Sequence, residues 1–88
     1  METKTASPSI TIVLVEDDQK TRKSLTELLR GENTVQLVGA YPDGETAVRE
    51  IPQLKPEVAL IDINLPGMSG IECVQRLKKS LPKLQVLM

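Results

Sequence analysis

A chain of 88 residues has room for one domain and no more. Eleven basic side chains face twelve acidic ones, a formal charge of −1, which removes any electrostatic ground for nucleic acid or an anionic membrane as a direct partner. Histidine is absent, so His-based triads, His general bases and the usual zinc sites are excluded, and chemistry must run on carboxylates, hydroxyls and an oxygen-held divalent cation.

Residues 1–9 are polar, lack the apolar stretch of a signal peptide, and read as a disordered leader. Ile10 to Val15 is a nearly continuous apolar run, the pattern of a strand buried on both faces. Leu25, Leu28 and Leu29 recur at helical spacing, and Gly31 is the expected stop. Val35 to Tyr41 returns to strand character. Pro42-Asp43-Gly44 is a turn with Asp43 as N-cap, and a short helix over Thr46 to Ile51 is limited by Pro52. Val58 to Ile61 is a third strand, ended by Asp62. Pro66-Gly67 forms the next turn. Ser69 and Glu72 have the spacing of a capping box, followed by a helix with its apolar stripe at Ile71, Val74, Leu77 and Leu81. Cys73 flanks that stripe as a buried structural thiol, and Lys78 and Lys79 form a solvated helix end. Leu84 to Met88 begins a fourth strand. A single cysteine permits no internal disulfide, which with the polar N-terminus predicts a cytoplasmic setting. No apolar run approaches the roughly 18 residues of a membrane span.

The order βαβαβαβ predicts an α/β fold, a parallel sheet with helices on its faces. In such sheets ligands bind beyond the carboxyl ends of the strands. The first strand ends at Glu16-Asp17-Asp18 and the third at Asp62. If the strand order is flavodoxin-like, those two strands are neighbours and the acids converge. Close carboxylates repel, and a hard divalent cation such as Mg2+ resolves the conflict. A carboxylate beside that cation can act as nucleophile and take up a phosphoryl group. An acid just past a strand is commonly only an N-cap, and Asp18 taken alone reads that way. Three acids at the ends of adjacent strands are harder to explain so.

Ile12-Val13-Leu14-Val15-Glu16-Asp17-Asp18 resembles the first strand and acidic pair of response-regulator receivers, and Leu60-Ile61-Asp62-Ile63-Asn64-Leu65-Pro66-Gly67-Met68-Ser69-Gly70 resembles their phosphoacceptor segment. Val38-Gly39-Ala40 and Asp43-Gly44-Glu45-Thr46-Ala47 also fit, most like receivers that precede a helix-turn-helix DNA-binding output domain. The resemblance implies a flavodoxin-like, CheY-like doubly wound sheet over residues 10–88, the N-terminal two-thirds of a receiver. It implies that Asp62 is the phosphoacceptor and a metal ligand. It also implies that Asp17 binds Mg2+ directly, Glu16 mainly through water, and Asn64 through its backbone carbonyl. Pro66 and Gly70 would shape the loop behind them. The implied partner is a sensor histidine kinase, and the chain is a signalling phosphoacceptor rather than an enzyme.

Receivers of this family carry a Ser or Thr after the fourth strand and a Lys after the fifth, and neither falls within these 88 residues. The resemblance therefore implies an incomplete receiver that phosphorylates slowly. Its fourth strand is expected at the sheet edge, with Leu84, Val86, Leu87 and Met88 losing their cover and inviting self-association. A docking or dimerising module independent of phosphate is the alternative. A third reading, a metal-dependent phosphatase with an aspartate nucleophile, needs a second acid where Asn64 stands, and an amide cannot serve as its general acid.

Overall fold

The computed structural model describes residues 9–88. All but Ser9 of the expected leader therefore lies outside the described residues. The elements follow the alternation read from the apolar runs: β1 (Ile10–Val15), α1 (Gln19–Arg30), β2 (Val35–Tyr41), α2 (Gly44–Leu54), β3 (Val58–Ile61), α3 (Gly70–Ser80) and β4 (Gln85–Leu87). The four strands form one parallel sheet in the order β2-β1-β3-β4. The expected neighbourhood of the first and third strands is thus present. The fold is a four-stranded portion of a flavodoxin-like doubly wound sheet.

Successive residues of a strand face opposite sides, and this alternation divides the core. Val13, Val15, Ala59 and Ile61 pack with Ala47 and Ile51 of α2 and with Cys73 and Leu77 of α3. On the other face, Leu14 and Leu60 line a hollow with Leu25 of α1. α1 buries no residue completely: Leu25 and Leu29 are half-buried and Leu28 is 65% exposed. Leu28 stands about 100° around the helix from Leu29, outside the arc that meets the sheet.

The same geometry corrects the stripe expected on α3. Its buried residues are Gly70, Cys73 and Leu77, with Val74 and Leu81 packed at the margin, while Ile71 is 57% exposed. Ile71 lies roughly 120° around the helix from Leu77, beyond the arc that meets the sheet. Cys73 takes the central place and is fully buried, and burial pushes its thiol up to about 11.

Three further departures concern the ends of elements. α2 runs from Gly44 to Leu54 rather than from Thr46 to Ile51, with Pro52 inside it. The proline removes only its own bond to the Val48 carbonyl, so the helix continues for the rest of that turn. The capping box is one-sided: Ser69 Oγ accepts from the Glu72 amide at 3.1 Å, while the Glu72 carboxylate pairs with Arg76 at 3.0 Å. Lys78 is not simply solvated. Its ammonium donates to the carbonyls of Pro82 (3.0 Å) and Leu84 (2.8 Å) and so ties the end of α3 to the start of β4.

β4 is the edge strand, as expected, but its cover is better than expected. Leu84 is only 2% exposed and Val86 packs against the core, because both turn toward α3. Leu87 and Met88 are 60% and 53% exposed.

Asp43 caps α2 as expected, accepting from the Thr46 amide at 2.7 Å. Hydrogen bonds from the Thr46 side chain and amide hold its carboxyl below the usual range. A carboxyl depressed in the folded state stabilises above its unfolded pKa and stops doing so as pH falls through the folded value. The stability gap between the wild-type chain and Asp43→Ala should therefore be constant above pH ~5 and narrow in more acidic solution. Urea unfolding across pH measures it; a gap independent of pH would exclude the charged cap.

Candidate functional site at the carboxyl ends of β1 and β3

Parallel pairing of β1 with β3 sets Val15 beside Ile61, so the residues that follow, Glu16 and Asp62, leave the sheet together. The pairing extends one step further, with the Asp62 amide donating to the Val15 carbonyl at 3.0 Å. On the other side, the Glu16 amide donates to the Tyr41 carbonyl at 3.0 Å. Each of Glu16, Asp17 and Asp62 then offers one carboxylate oxygen to a group lying within 4.8 Å of one another. Glu16 and Asp62 are half-buried and Asp17 is exposed.

Two unit charges about 5 Å apart repel by roughly 1–3 kcal/mol, depending on how fully water screens them. Among the described residues no lysine or arginine forms an ion pair with these three acids. Burial is the foremost cause holding the Glu16 carboxyl above the usual carboxylate range, and the charges of Asp62 and Asp17 push the same way. The Asp18 amide, donating to Glu16 Oε2 at 3.0 Å, opposes them. Asp18 itself is committed elsewhere. Its Oδ2 accepts from the Thr21 hydroxyl (2.6 Å) and amide (2.9 Å), capping α1 and drawing its pKa down. Three oxygen donors that repel one another, with no ion pair to them among the described residues, suit a hard divalent cation, and Mg2+ completes its shell with water and phosphate oxygens. The donor set therefore fits Mg2+.

Asn64 belongs to the same loop, and its amide donates to Asp62 Oδ1 at 3.0 Å. That bond fixes the orientation of the Asp62 carboxylate; a carbonyl role for Asn64 rests on the resemblance. The loop beyond turns at Gly67, whose φ of +69° lies in the left-handed region that favours glycine. It returns at Gly70, whose amide donates to the Ile63 carbonyl at 3.1 Å.

Two residues not singled out from the sequence also shape the site. Glu45, in the first turn of α2, accepts from the Met68 amide at 3.0 Å and braces the turn at Gly67. Arg22 Nη1 donates to the carbonyl of Glu16 at 2.8 Å and reaches that of Asp17 at 3.4 Å. Arg22 lies four residues after the cap Asp18, one helical turn on, and that spacing was its only local signal.

Residues 12–88 match the family model described as response regulator receiver domain. The chain belongs to that family. The receiver is 32% identical over 78 residues to the response regulator GacA of Pseudomonas viridiflava, covering 89% of this chain and 36% of that protein. It superposes with a TM-score of 0.82 and 32% identity on the signal receiver domain of a modulated diguanylate cyclase from Desulfovibrio desulfuricans, covering 89% of this chain and 62% of that one. A CheX–CheY–BeF3–Mg2+ complex from Borrelia burgdorferi is similar with a TM-score of 0.80 and 25% identity, covering 88% of this chain and 58% of that one. The receiver spans about a fifth to two-fifths of the length of the curated relatives it matches. Receivers are in general signalling modules rather than enzymes. Among the described residues no helix is long and apolar enough to cross a membrane.

Proposed function

We propose that this receiver takes a phosphoryl group onto Asp62 from a sensor histidine kinase, with Mg2+ held by Asp17, Asp62, the Asn64 carbonyl and, mainly through water, Glu16. The observation that carries the proposal is the meeting of three carboxylates within 4.8 Å beyond two adjacent parallel strands. Bound there, Mg2+ would neutralise charge on the phosphoryl oxygens and on the acids. The remaining work belongs to the chain. Asp62 supplies a carboxylate oxygen that bonds to phosphorus while the bond from phosphorus to the donor breaks. The Asn64 main-chain amide, donating to Asp62 Oδ1, keeps that carboxylate aimed.

Intact mass before and after incubation with Mg2+ and a small phosphodonor tests this reading. A gain of one phosphoryl group, absent in Asp62→Asn, is the expected result. No gain, or an equal gain in Asp62→Asn, overturns it.

A second reading, association through β4, is favoured by the place of that strand at the sheet edge and by the exposure of Leu87 and Met88, both among the described residues. It predicts that apparent mass in light scattering rises with concentration and that Leu87→Lys suppresses the rise. A constant monomer mass across concentrations excludes it.

A further inference from the structure

The segment joining β1 to α1 is three residues long, and its main chain has left the sheet without yet entering the helix. Its polar groups need partners of their own. The Glu16 amide bonds to β2 through the Tyr41 carbonyl, and the Asp18 amide bonds to the Glu16 carboxylate. The carbonyls of Glu16 and Asp17 are reached by one side chain, the part-buried guanidinium of Arg22. Arg22 is itself fixed one turn into α1, where its amide donates to the Asp18 carbonyl at 2.8 Å.

This is an unfavourable place for a positive charge if attraction of a cation were all that mattered. A guanidinium beside a divalent-cation site repels the cation. What it supplies in return is order. Two of the three converging carboxylates stand on the two residues whose carbonyls it holds. Each residue free to rotate about its main chain carries conformational entropy that binding must remove. Both contacts leave one nitrogen, Nη1, at the far end of the guanidinium, and a lysine side chain, one bond shorter, does not bring its nitrogen to the same place.

We infer that Arg22 is a positioning residue for the metal site: by clamping the carbonyls of Glu16 and Asp17 it holds their carboxylates facing Asp62. The inference rests on the Mg2+ reading given above. Its two physical effects have opposite signs, which makes it decidable. Loss of charge alone tightens Mg2+ binding; loss of the clamp weakens it.

The test is Mg2+ affinity by titration calorimetry for the full chain, Arg22→Gln, Arg22→Lys, Asp17→Asn and the exposed charge control Lys23→Gln. Arg22→Gln is expected to bind Mg2+ about tenfold more weakly. Lys23→Gln should bind as the wild-type chain does or slightly better. Without metal, amide exchange at Asp17 and Asp18 should quicken in Arg22→Gln while that of α2 stays unchanged. Wild-type or tighter affinity in Arg22→Gln, or unaltered exchange at those amides, overturns the clamp. Should Arg22→Gln fail to fold, Arg22→Lys carries the test. It keeps the charge but, one bond shorter, does not reach the place from which Nη1 meets both carbonyls, so weaker binding supports the clamp and wild-type binding overturns it. A wild-type chain that binds no Mg2+ overturns the metal reading and the clamp together. Wild-type binding that Asp17→Asn abolishes and Arg22→Gln leaves intact overturns the clamp alone.

Discussion

Asp17→Asn should weaken Mg2+ binding by about a hundredfold while leaving the fold in place. A unit charge and a divalent ion about 4 Å apart attract by roughly 2 kcal/mol even with the screening of bulk water, a factor of about thirty, and loss of the direct ligand proposed above adds to it. The side chain is exposed and its carboxylate neighbours are the other acids, so little of the fold depends on it. In the absence of metal the effect on stability should reverse. Removing one of three mutually repelling charges relieves strain at Glu16, and the metal-free variant should unfold at slightly higher denaturant than the wild-type chain. Calorimetric titration and urea unfolding of the same two proteins check both halves. Equal Mg2+ affinity would remove Asp17 from the ligand set.

Gly70→Ala should lower the melting temperature by about 10 °C and reduce phosphoryl uptake at Asp62. A methyl group at Gly70 would lie 2.9 Å from the Ile63 Cα and closer still to the Asp62 carbonyl oxygen. Both obstacles are main chain, which cannot rotate aside as a side chain can. The loop holding Asp62 has to move instead, stretching the bond from the Gly70 amide to the Ile63 carbonyl. Overpacking of this kind costs about 1–3 kcal/mol, and each kcal/mol corresponds to about 4–8 °C in a domain of this size. Gly31→Ala is the matched control. Its methyl group would meet nothing nearer than the Leu28 carbonyl oxygen at 3.5 Å, and φ there is −79°, which alanine adopts freely. Circular dichroism melts of the two variants decide the matter; indistinguishable curves would mean that the loop adapts at no cost.

The contrast between these glycines marks what the sequence could reveal. Apolar runs such as Ile10 to Val15 gave the strands, and caps such as Asp43 gave the starts of helices, because both signals are local. The acids could be placed at the carboxyl ends of strands for the same reason. That Glu16 and Asp62 meet required the strand order, an assumption that the register of Val15 beside Ile61 replaces with an observation. Local rules failed where neighbours decide. Pro52 is a helix breaker by rule, yet its loss of one bond does not end α2. Ile71 has the right spacing but lies off the arc that meets the sheet, and Leu84 is covered by a helix that its own segment does not announce. The brace from Glu45 to Met68 joins residues 23 positions apart, and nothing in either segment alone encodes it.

Cys73 has a consequence for anyone who wishes to watch this protein at work. The chain contains one native sulfhydryl, wholly enclosed between α3 and the sheet, with its ionisation pushed up to about 11. At neutral pH the reactive anion is then about one part in ten thousand, even before access is considered. The native chain is thus chemically silent toward maleimides and disulfide dyes while folded. A cysteine introduced on the open surface, at Glu32 for instance, becomes the sole point of attachment for a fluorophore or spin label, with no need to remove the natural one. The enclosed thiol serves a second purpose in the same experiments: its sudden labelling reports that the core has opened.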